Sequence, residues 1–106
     1  MNTIELLPQT RELLTDEILG QQDIDSTIRL LLEGEYMRRL SRYHRTNYEL
    51  KDKYEMPFSE FIERHMTREL NYSWEVEKDA MAWETAVDGI ETIEEKLQTV
   101  RQPTLS

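Results

Sequence analysis

The sequence predicts an all-α protein: two long antiparallel amphipathic helices, a helical hairpin, joined by a short helical elbow and preceded by a short N-terminal helix. Three observations carry this. The 106 residues hold only three glycines and three prolines, so few points interrupt a helix. Apolar residues recur at intervals of three, four and seven over residues 26–54 and 73–100. At 1.5 Å per residue, helices of about 29 and 27 residues make rods of roughly 43 and 40 Å, a matched pair.

Pro8, Pro57 and Pro103 set off an N-terminal part, a central break and a tail. Residues 9–19 suit a short helix capped by Thr10 and ended by Gly20, with Leu13, Leu14 and Ile18 on one side. Three apolar residues are too few to hold it alone, so residues 1–25 are expected to be a mobile segment. Residues 26–100 form the hairpin domain, and residues 101–106 a disordered tail.

Asp25 or Ser26 can cap the first long helix. Its stripe is Ile28, Leu32, Tyr36, Leu40, Tyr43, Leu50 and Tyr54. Asn47 stands at the one polar stripe position; it either fixes register between packed helices or lies at the solvent edge. Pro57 ends this helix by pushing the preceding residue out of the helical region. Ser59 or the Pro57 turn then starts a short helix to about Leu70, with Phe58, Phe61, Ile62, Met66 and Leu70 inward.

Ser73 can cap the last helix, with Glu75, Glu77 and Asp79 in its electropositive first turns. Val76, Ala80, Trp83, Val87, Ile90, Leu97 and Val100 form a seam broken only by Glu94. Trp83 is expected to pack against the Tyr36–Tyr54 stripe. Beside the seam lie Ala82, Ala86, Gly89 and Ile93, either a docking groove for a partner or for residues 9–19, or part of a broad buried face with a tolerated glycine. A mid-helix glycine costs about 1 kcal/mol against alanine, which calls for a close approach there. Trp74 sits slightly off the seam, as an interface anchor or as a cap on the elbow through Phe58 or Phe61.

The charge is −9, from 13 basic and 22 acidic residues. That disfavours nucleic acid, whose phosphates demand cations, and favours a basic protein partner. Glu75, Glu77, Asp79, Glu84, Asp88 and Glu91 are the acids expected to meet it. Between Tyr36 and Glu55 the balance reverses, with Arg38, Arg39, Arg42 and Arg45 as a basic patch. The patch either grips RNA with help from Tyr43 and His44, or meets acids on the neighbouring helix. Charged residues make up 33% and apolar ones 38%, against roughly 25% and 45% in ordinary domains, so the core must be small.

The absence of cysteine removes disulfides and thiolate chemistry. No apolar run approaches the ~20 residues of a membrane span, and no signal-peptide core is visible; the chain is expected in the cytoplasm, which makes the Asn71-Tyr72-Ser73 sequon incidental. His44 and His65 fall in no metal-binding spacing, and neither a phosphate-binding glycine loop nor a nucleophile motif is present. The sequence predicts no catalytic residue, metal or cofactor.

The stretches "YELKDKYEMPFSEFIERH" and "SWEVEKDAMAWETAVDGIETIEEKL" resemble short helical antitoxin-like proteins of prokaryotic toxin–antitoxin gene pairs, of archaeal and cyanobacterial type. The matching positions are Tyr54, Met56, Phe58, Phe61, Trp74, Trp83 and Glu84, within about residues 30–98. Pro57 stands where that pattern more often has a capping serine. The resemblance implies a nonenzymatic protein that neutralises a toxin, often a nuclease, by direct binding. Two other functions fit the same residues: a self-associating helical adaptor and an RNA-binding regulator working through Arg38–Arg45.

Overall fold

A computed structural model describes residues 5–15 and 23–102. Among them every regular element is a helix: α1 (Pro8–Leu14), α2 (Ile24–Tyr54), α3 (Phe58–Glu63), α4 (Met66–Glu69) and α5 (Trp74–Val100). The two long helices pack against each other and make the body of the molecule. Their cross-contacts pair Arg29 with Val100, Asn47 with Trp83 and Lys53 with Asp79, so the chains run in opposite directions.

Local chemistry sets each boundary. The N-cap of α2 is Asp23, two residues before Asp25, the nearer of the two expected caps, and its Oδ1 accepts from the Ser26 N–H at 2.7 Å. Starting there lets the Thr27 hydroxyl, fully buried, donate to the Asp23 carbonyl. Glu55 closes α2 in a left-handed conformation, φ 55°, with Lys51 and Lys53 near the carbonyl end of the dipole. Pro57 then caps α3 through its carbonyl, which accepts from Glu60 and Phe61. Ser73 caps α5 as expected, its hydroxyl accepting from Val76.

The elbow departs from the single helix expected to reach Leu70. His65 takes φ 52° and splits it into α3 and α4, its carbonyl accepting from Arg68 and Glu69. Asn71 and Tyr72 are left-handed too, which costs Tyr72 about 1 kcal/mol for its Cβ clash. These reversals bring Phe58, Phe61 and Met66 onto the core and leave Ile62 and Leu70 exposed, contrary to the inward positions expected for both.

At the N-terminus, Pro8 occupies the first helical position behind Leu7, where its missing N–H costs nothing, and Thr10 is not the cap. α1 packs on α2 and buries Leu14, while Leu13 stays exposed. Ile18 and Gly20 of the expected helix lie outside the described residues, as do residues 103–106 of the expected tail. Gln102 and Arg101 are tied down: the Arg29 guanidinium donates to the carbonyls of Val100 and Gln102, and Arg101 pairs with Glu33 at 3.1 Å.

The core centres on Trp83, which has no exposed surface. Tyr54 stacks on its ring at 5.9 Å between centroids, and Phe58 and Phe61 tilt against it at 5.3 and 5.1 Å. Asn47 accepts the indole N–H at 2.8 Å, so the polar stripe position holds register rather than facing solvent. Leu50, Met56 and Val76 complete this cluster. Toward the other end the buried residues of α5 are Ala86, Ile93 and Leu97. The α2 stripe is less deeply covered than expected there: Leu32 is exposed, and Tyr36, Leu40 and Tyr43 are half-buried.

Gly89 explains how the helices close together. A Cβ built on it would sit 2.5 Å from Cε2 of Tyr43 and 2.7 Å from two more ring atoms. Ala86, Gly89 and Ile93 therefore belong to the internal interface, and the expectation that Ala86 and Gly89 bind a partner is corrected. Only Ala82 of that row is exposed.

Two tests follow from this packing. Trp83→Ala should cost about 3–5 kcal/mol in urea denaturation; an unchanged midpoint would rule out the aromatic core. The two α2–α5 glycines should respond with opposite signs. Gly34 meets only Arg38 Nη1, at 3.6 Å, so Gly34→Ala should gain about 0.5–1 kcal/mol in helix propensity. Gly89→Ala should instead destabilise, because displacing the Tyr43 ring costs about 1–3 kcal/mol. Equal gains at both positions would show that Tyr43 does not rest on Gly89.

Candidate protein-binding face on the last helix

The seam of α5 is turned inward, which fixes what its opposite side presents. Trp74 and Met81 are seven residues apart and so share a face. They are 77% and 68% exposed. Trp74 takes no part in the aromatic cluster formed by Tyr54, Phe58, Phe61 and Trp83, so packing on the elbow does not account for it. Tryptophan combines a large apolar area with one polar N–H, which suits an interface far better than water. On the elbow, Ile62, His65, Met66 and Tyr72 line a separate groove.

The expected acids divide into two groups. Asp79 serves the fold: its carboxylate accepts from Lys53 Nζ and from the Tyr54 hydroxyl, both at 2.6 Å. Glu75 shares the same Lys53, also at 2.6 Å, and remains open to solvent. Glu77, Glu84, Asp88 and Glu91 are exposed and form no ion pair among the described residues. These four, with Trp74 and Met81, make the outward face of α5. Asp79 is withdrawn from it, since its partners lie within the chain.

The Asp79 cluster carries the clearest electrostatic signature. Burial pushes its carboxyl up, but hydrogen bonds from Lys53 and Tyr54 outweigh that and hold it below the ordinary carboxylate value. Burial and the same carboxylate push the Tyr54 phenol up to about 12. Lys53 is raised by its bonds to Asp79 and Glu75, and its ammonium also lies 5.5 Å from the Tyr54 ring centroid. The arrangement ties the end of α2 to the first turns of α5, directly over Trp83.

The basic patch does not do what its setting beside an acidic helix suggests. Arg38 and Arg39 both pair with Glu35, one turn back on their own helix, at 3.0 Å. No residue of α5 pairs with Arg38, Arg39, Arg42 or Arg45. The reason is direction: apart from Arg39, these side chains project from α2 away from the stripe that meets α5. Arg39 instead lines a groove between the two long helices with Tyr36, Tyr43, Gly89 and Lys96, and Asp88 also lines that groove without an ion pair to Arg39. Among the described residues no three His, Cys, Asp or Glu side chains gather as a metal site, and no helix is long and apolar enough to cross a membrane.

The Asp79 carboxyl predicts a pH dependence. Its folded value lies below the unfolded one of about 3.9, so its stabilisation is complete above pH ~4 and is lost as the pH falls further. Asp79→Asn should cost about 1–2 kcal/mol at neutral pH. The difference in Tm from wild type should shrink below pH ~4; a constant difference would remove the carboxylate from the account.

Comparison with protein-family models, curated proteins and solved structures found no match to this chain.

Proposed function

We propose that this chain is a nonenzymatic cytoplasmic binding protein whose α5 outer face docks a basic protein, in the manner of an antitoxin that masks its toxin. The observation that carries the reading is Trp74, left 77% exposed at the head of a helix whose outward acids Glu77, Glu84, Asp88 and Glu91 form no ion pair among the described residues. A large apolar ring within a rim of free carboxylates is the chemistry of a hot spot for a cationic surface. The class of partner, a toxin of nuclease type, comes from the sequence resemblance carried by Tyr54, Met56, Phe58, Phe61, Trp74, Trp83 and Glu84.

The two kinds of residue divide the work. Glu77, Glu84, Asp88 and Glu91 attract the partner over distances set by a Debye length of about 8 Å at physiological salt, and so act on the association rate. Trp74 and Met81 act after contact, by losing water against the partner, and so govern dissociation. Neutralisation on this scheme is occlusion: the toxin's cationic surface is covered and can no longer reach its substrate.

A pull-down from the native host with mass spectrometry supplies the partner, and binding kinetics then test the face. Trp74→Ala should speed dissociation about 30-fold, equivalent to about 2 kcal/mol, with folding stability unchanged. Neutralising Glu84, Asp88 and Glu91 should slow association and flatten its salt dependence. An acidic partner, or one whose dissociation ignores Trp74, would sink this reading.

A further inference from the structure

Among the described residues nothing covers the outward faces of α2 and α5, and the two are opposite in charge. On α2, Arg38, Arg42 and Arg45 point away from the interface; among the described residues Arg42 and Arg45 form no ion pair, and Arg38 pairs with Glu35. On α5, Glu84, Asp88, Glu91 and Glu95 are exposed and form no ion pair among the described residues, while Lys78 and Lys96 lie about a third of a turn away. Arg38 to Arg45 and Glu84 to Glu91 each span seven residues, about 10.5 Å of helix. Each also has an exposed apolar group nearby: Tyr48 is 77% exposed and Met81 68%.

We propose that the chain associates head to tail with copies of itself, the basic outer face of α2 docking on the acidic outer face of α5 in the next copy. The register is the one already used inside the molecule, where Tyr43 meets Gly89 and Asn47 meets Trp83. Continued into a second copy, it brings Arg38 and Arg42 to Glu91 and Glu95, Arg45 to Glu84 and Asp88, and Tyr48 to Met81. Neighbouring helices then alternate in direction, which also opposes their dipoles favourably. The net charge of −9 works against crowding copies together. Across two helix diameters, some 20 Å, that repulsion is largely screened at physiological salt, whereas facing patches are within reach. The contact joins two different surfaces, so it is heterologous, and it grows open chains unless the rotation closes a ring. A second copy and the proposed basic partner would compete for this one α5 face, but the self-association needs no foreign partner and is tested without one.

The test uses the purified full chain at physiological ionic strength. In sedimentation velocity the average mass should rise with concentration and pass that of a dimer. Two neutralised variants remove one face each: Arg38→Gln, Arg42→Gln, Arg45→Gln, and Glu84→Gln, Asp88→Asn, Glu91→Gln. Each alone should stay monomeric, although the second carries less net charge than wild type and repels itself less. Mixed, each retains the face the other lacks, so they should form a one-to-one dimer of twice the monomer mass and nothing larger. Should either triple variant lose helicity by circular dichroism, Arg42→Gln and Asp88→Asn serve in the same mixing experiment, with weaker association expected. A wild type that is monomeric throughout, a variant that assembles like wild type, or a mixture that stays monomeric overturns the proposal. So does a monomeric wild type that retains RNA through the arginine face.

Discussion

The burial of Trp83, with its indole N–H held by Asn47, is the contact around which everything else is arranged. A chain with so few apolar residues cannot spread its core along two 40 Å rods, so it concentrates the core at one end. A fully buried tryptophan removes about 150–250 Å² from water, worth about 4–6 kcal/mol before entropy is counted. Tyr54, Phe58 and Phe61 surround it, which explains why the elbow exists as a structured element rather than a bare turn. Three reversals of backbone handedness, at Glu55, His65 and the Asn71–Tyr72 pair, are tolerated there because the aromatic cluster repays them.

Away from that cluster the long helices are held by other means. Gly89 lets them approach until the Tyr43 ring rests on backbone, gaining dispersion contact where bulky aliphatics are lacking. The open end is closed by hydrogen bonds: Arg29 reaches the Val100 carbonyl, one of the acceptors an α-helix leaves without an internal partner at its C-terminus. Glu33 and Arg101 add an exposed pair of small value. Stability is therefore uneven along the rods, greatest at Trp83 and least toward the Ile24 end, where Leu32 is not covered.

The same economy shapes the surface. Because only one side of each long helix is needed inside, the remaining sides carry charge, and they sort by sign: arginine outward on α2, carboxylate outward on α5. Lys53 of α2 meets two acids of α5, Glu75 and Asp79, across the interface beside the aromatic core, where the partial burial of Asp79 strengthens its bond. The other outward acids of α5 from Glu77 to Glu95 form no ion pair among the described residues. Trp74 and Met81 add apolar area to that face, which distinguishes it from a merely solvated helix side.

Much of this was legible in the residues alone. Two matched helices, the Ser73 cap, the inward Trp83, the register role open to Asn47 and the close approach demanded by Gly89 follow from periodicity and from the cost of exceptions, both local properties of a chain. Direction in space was not. Whether Gly89 faced a partner or Tyr43, and whether Trp74 capped the elbow or stood in water, depended on the rotation of α5 about its axis, which packing alone sets. The split of the elbow at His65 was hidden because no glycine or proline marks it; a left-handed histidine forms only when tertiary contacts on both sides compensate its strain. Asp79 looked like its acidic neighbours until the end of α2 brought Lys53 and Tyr54 beside it. Sequence fixes which side chains share a face of a helix, and only the tertiary structure decides what that face meets, because one rigid-body rotation moves every residue on the helix at once.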